Sequence, residues 1–112
     1  METDPYQMAL KLEKAMEHIR SLCKNLDEYG EAKARAIVAC ECAVAKAAAT
    51  HRTAGVPATL VKDYAKEDAC KERLDEEMAT VKYGSLKIKI DAAESILNAT
   101  QSQNRYLDTF AK

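Results

Sequence analysis

The stretch "TAGVP" at residues 53–57 is the clearest break in an otherwise helical pattern. Gly55 can take the left-handed conformation past a helix end. Pro57 cannot continue that helix but can open the next. The whole chain of 112 residues holds only 3 glycines and 2 prolines. A β-sandwich needs frequent turn residues and a βαβ chain needs repeated loops, so both are short of punctuation here. Long helices on either side of one reversal remain, and a compact turn makes them antiparallel. The predicted fold is all-α: a long antiparallel helical hairpin with a short helix at the turn, dimerising into a four-helix bundle. It is read as a single domain, with a helix over about 4–53, the turn and short helix over about 54–67, a helix over about 68–107 and a tail at 108–112.

The first helix is expected to start near Thr3 or Asp4, with Asp4 as N-cap and Pro5 at the first helical position. A 4-3 spacing runs from Leu12 through Met16, Ile19, Cys23 and Leu26, then through Gly30 and Lys33 to Ile37, Cys40, Val44 and Ala47. That is the coiled-coil period with one interruption, at Gly30. Glu31 and Arg35 follow as a favourable i,i+4 pair. Ala32, Ala36, Ala39, Ala43 and Ala47 share one face, which lets a second helix approach closely, and Cys40 and Cys42 join that small-residue surface. The short helix "PATLVKDYAKEDA" carries Leu60, Val61 and Tyr64 on one side. Its end is weakly marked: Asp68 either caps a third helix or lies within a continuous one.

The third segment carries two stripes. Leu74, Met78, Val81, Ser85, Ile88, Ala92, Ile96 and Ala99 form one, and its Leu74, Met78 and Val81 are expected as knobs against the alanine face. Tyr83, Leu86, Ile90, Ala93 and Leu97 form the second, expected to face a second copy. "SLKIKID" also alternates, so a local strand is a rival reading. The hairpin register places residue 30 opposite residue 84, so that Gly30 and Gly84 face each other. The polar end "QSQNRYLDTFAK" is read as a fraying helix end, with a docking tail built on Arg105, Tyr106 and Phe110 as the alternative.

The formal net charge of −1 gives no positive field for holding nucleic acid. Lys82, Lys87 and Lys89 are the candidate phosphate contacts, but they lack interleaved aromatics for base stacking. No apolar run approaches the roughly 18 residues of a membrane span, and "METDPYQMAL" lacks signal-peptide features, so a cytoplasmic location is expected. Cys23, Cys40, Cys42 and Cys70 show no CxxC spacing and are read as small apolar residues. Neither His18 nor His51 has a Glu three residues before it, as helical metal sites require. The acidic run from Glu67 to Glu77 is interleaved with Lys71 and Arg73 and reads as a solvated face, with a metal site or a mimic of nucleic-acid charge as the alternatives. No phosphate-binding glycine loop, HExxH, GxSxG or EF-hand loop occurs. No catalytic residue, cofactor or metal is therefore assigned.

"TAGVPATLVKDYAK" followed by a long helix closing with "LNATQSQNRYL" resembles a group of small all-helical proteins encoded in the early regions of phages and prophages of Gram-positive bacteria, near recombination functions. The resemblance covers the second half of the chain. It rests on the Pro-Ala-Thr start of the short helix and on Gln101, Ser102, Arg105 and Tyr106. Where that group tends to have Gly after the short helix, Glu67 stands here. The resemblance implies no settled activity. The expected function is a non-catalytic protein–protein interaction module, homodimeric, that modulates or inhibits a host protein such as a defence or replication factor. The alternative is an accessory of phage recombination and single-strand annealing with indirect nucleic-acid contact.

Overall fold

The computed structural model describes residues 5–111, with side chains described for residues 5–106. Three helices follow in order: α1 over Pro5–Thr53, α2 over Ala58–Asp68 and α3 over Cys70–Ala111. The described residues contain no strand, so the fold is all-α, and the alternating "SLKIKID" segment is helical. The expected N-cap Asp4 lies outside the described residues. α3 runs on through Ala111, so the segment from 108 continues the helix.

α1 ends in a Schellman motif. Val56 N–H donates to the His51 carbonyl at 3.0 Å and Gly55 N–H to the Arg52 carbonyl at 3.1 Å. Gly55 takes φ +84°, a conformation that suits glycine. His51 and Arg52 place basic groups in the last turn of α1, where the helix dipole favours them. Pro57 is the N-cap of α2 rather than its first helical residue. At the other end of α2 a single residue, Ala69, separates it from α3. Ala69 donates to Ala65 at 3.1 Å and accepts from Arg73 at 2.9 Å, so the direction changes with little loss of backbone pairing. Asp68 does not cap α3: its carboxylate is spent on His51, 2.5 Å away.

The chain forms two compact units, Glu28–Gly84 and the described residues up to Asp27 with those from Ser85. In the Glu28–Gly84 unit, α1 turns Gly30, Lys33, Ile37, Cys40, Val44, Ala47 and His51 inward. α2 buries Val61 and Ala65, and Ala69 is buried beside them. From α3, the inward residues are Glu72, Glu76, Ala79 and Tyr83. Gly30 meets Tyr83 and Cys40 meets Glu76, so α1 and α3 run antiparallel within this unit. The other unit buries Met8, Leu86, Ile90 and Ala93. Leu12, Ala15, Ile19, Leu22, Leu26 and Leu97 are half-buried around them.

These patterns correct several expectations. Met16 and Cys23 are exposed, and Ala15 and Leu22 take the inward positions. Both choices keep a 4-3 rhythm, so spacing alone does not separate them. Cys40 is buried but Cys42 is exposed, two residues further round the helix. Among the alanines, Ala36, Ala43 and Ala47 are partly covered while Ala32 and Ala39 are exposed. The expected knobs Leu74, Met78 and Val81 face outward, at 59%, 52% and 63% exposure. The stripe expected to face α1 is exposed, and the stripe expected to face a second copy is buried or half-buried within one chain. Each outward residue sits two positions after an inward one, about 200° round the helix.

Gly30 and Gly84 do not face each other. A Cβ on Gly30 would lie 3.3 Å from Tyr83 Cε2, whereas one on Gly84 would meet nothing within 4 Å. The aromatic ring occupies the space beside Gly30. Lys33 Nζ completes this contact, 5.0 Å from the centre of the same ring.

Candidate functional site

The sequence-derived interface residues divide once they are placed. Leu86, Ile90 and Ala93 are 5%, 7% and 8% exposed. Leu97 and Tyr83 are half-buried. A face already covered within one chain is not available to a second copy, so this stripe is core. Arg105 and Tyr106 lie on the exposed surface of α3, each engaged in contacts of its own. The Phe110 side chain lies outside the described residues. Of the three candidate phosphate contacts, Lys82 and Lys89 are seven residues apart on α3 and share a face. Lys87 lies about 140° round the helix from Lys82 and about 160° from Lys89. They do not converge on one phosphate.

Two grooves of the Glu28–Gly84 unit were not foreseen. The larger, about 650 Å³, lies between α1 and α2. Glu41, Ala45, Ala48 and Arg52 line it from α1, each one residue past an inward position of that helix. Ala58, Val61, Lys62 and Ala65 line it from α2. Its floor is made of Cys40, Val44, Val61 and alanines, with no branched side chain larger than Val, so another helix could approach closely. Arg52 and Lys62 put two cations on the rim, and Glu41 one anion. The sequence signal for this groove is the alanine-rich run 43–49, whose spacing fits a seam with α3 equally well.

The second groove, about 340 Å³, is lined by Glu28, Tyr29 and Ala32 of α1 and by Asp75, Met78, Ala79 and Lys82 of α3. It borders the outward stripe Leu74–Met78–Val81. Tyr29 is 37% exposed at its edge. Tyr29 and Ala32 each precede an inward residue of α1, so they lie on the flank of α1 opposite the one that lines the first groove.

The turn is fastened by a small polar cluster. His51 Nε2 lies 2.5 Å from Asp68 Oδ2, and the His51 ring is tilted against Tyr64 with centroids 5.5 Å apart. This cluster ties the end of α1 to both ends of α2's second half.

The buried thiol is not set up for attack. Hydrogen bonding to the Glu76 carboxylate, then burial and the negative charge of Glu76, push the Cys40 pKa above the ordinary thiol value. A thiol held protonated is a poor nucleophile and a poor metal ligand. Cys23, Cys42 and Cys70 are exposed and unbridged. Among the described residues, no three His, Cys, Asp or Glu side chains gather as metal ligands. No described helix is long and apolar enough to cross a membrane. No family model, curated protein or solved structure matches this chain.

Proposed function

We propose that this chain is a non-catalytic helical interaction module that receives an amphipathic helix of another protein in the groove between α1 and α2. The observation that carries this reading is the groove itself: an apolar, small-residue floor with Arg52 and Lys62 on its rim. The mode is helix-in-groove recognition, in which apolar anchors at i, i+4 and i+7 seat on the floor. The rim cations select acidic residues flanking those anchors. The protonated state of Cys40 beneath the groove supports binding rather than covalent chemistry. The resemblance to small phage proteins puts host defence and replication factors first among natural partners.

A labelled helical peptide with Leu at i, i+4 and i+7 and flanking Glu tests the reading. Fluorescence anisotropy should show saturable binding, weakened about tenfold or more by Ala48→Glu and by Arg52→Glu with Lys62→Glu. A peptide with Lys in place of Glu should bind less well. Equal binding of both peptides, indifference to Ala48→Glu, or binding of single-stranded DNA in place of peptide would overturn it.

A further inference from the structure

We infer that the outward stripe of α3 in the Glu28–Gly84 unit is a self-association surface, and that its occupant is a second copy of this chain packed antiparallel about a twofold axis through Met78. This inference is independent of the groove reading, because it uses the other flank of α1 and the far face of α3.

Three features carry it. First, Leu74, Met78 and Val81 are each more than half exposed, at 59%, 52% and 63%, on a helix whose inward residues at the same level include Glu72 and Glu76. The apolar side chains are thus on the face that the chain itself leaves open. Second, the stripe is self-complementary. An axis through Met78 sets Met78 against Met78 of the second copy, and Leu74 against Val81 of the second copy. Isologous contacts of this kind require residue i to meet j and j to meet i. Third, the charges at the edge of the stripe obey the same axis. Asp75 and Lys82 both border the groove beside Met78. They are seven residues apart, about 10.5 Å along the helix, too far to pair within one chain. Neither is engaged by another described residue. Across the twofold axis, Asp75 meets Lys82 of the second copy, and Lys82 meets its Asp75. Two ion pairs form from side chains that no described residue engages, and an antiparallel copy satisfies both at once.

Sedimentation equilibrium of the full chain tests this. The wild type should sediment at twice the 12.4 kDa chain mass. Asp75→Lys alone and Lys82→Asp alone each place two like-charged pairs at the axis and should raise the dimer Kd about tenfold or more. The double variant Asp75→Lys with Lys82→Asp should restore it. An equimolar mixture of the two single variants should form a heterodimer, because each supplies the charge that the other needs. Circular dichroism should show all variants folded. A monomeric wild type, a dimer unaffected by the single reversals, or single variants that fail to recombine would overturn the inference. Loss of peptide binding in the groove experiment would leave it standing.

Discussion

The Tyr83 ring lies against Gly30, and this contact sets the register between α1 and α3 in the Glu28–Gly84 unit. A side chain at residue 30 would stand where the ring stands. Ala at position 30 gains about 1 kcal/mol of helix propensity, but its Cβ needs the ring to move by a few tenths of an ångström. The two effects nearly cancel, so Gly30→Ala should change stability by less than about 1 kcal/mol. Gly30→Leu cannot fit and should destabilise by about 1–3 kcal/mol. Urea unfolding followed by circular dichroism checks both.

Gly84 behaves differently although it follows Tyr83 directly. It is helical and a Cβ there meets nothing within 4 Å. Gly84→Ala should therefore stabilise by about 1 kcal/mol. If the two glycines faced each other, the same change would clash, so the sign of this effect separates the two registers.

Gly55 closes α1 with φ +84°. Ala in that conformation is strained, and the two hydrogen bonds from Gly55 and Val56 depend on it. Gly55→Ala should cost about 1 kcal/mol in thermal or denaturant unfolding. Hydrogen exchange should rise first in the last turn of α1 and in α2.

Thiol labelling reports on the seam. Cys23, Cys42 and Cys70 are exposed and should react quickly with a maleimide, and Cys40 last. The raised Cys40 pKa means that its thiolate appears only above the ordinary thiol range. Glu76→Gln removes the charge that holds the proton. It should shift Cys40 labelling to lower pH, as mass spectrometry of the labelled peptides would show.

The helices were legible because their signals are local. Gly55 and Pro57 mark a stop and a start whatever surrounds them, and little else in the chain punctuates it. The choice of inward face was not legible in the first half of α3. There Leu74, Met78 and Val81 outweigh Glu72, Glu76 and Ala79 in hydrophobicity, so local patterning selects the wrong side. The stripe Leu86, Ile90, Ala93 and Leu97 continues the spacing of the series 72, 76, 79, 83 without a break. Glu76 is accommodated at its inward position by the Cys40 thiol, a pairing that no spacing rule announces. The α1–α2 groove was hidden for a related reason. An alanine face fits either a close neighbour or an open groove, and only the placement of α2 decides between them.

The account rests on which face of α3 is core, and the paired variants Ile90→Asp and Met78→Asp measure that most directly. Thermal unfolding followed by circular dichroism should show Ile90→Asp losing about 3 kcal/mol or more, because it buries a charge at a position 7% exposed. Met78→Asp, at a position 52% exposed, should keep the helical spectrum and unfold cooperatively near the wild-type monomer. An unfolded Met78→Asp beside a stable Ile90→Asp would contradict the account.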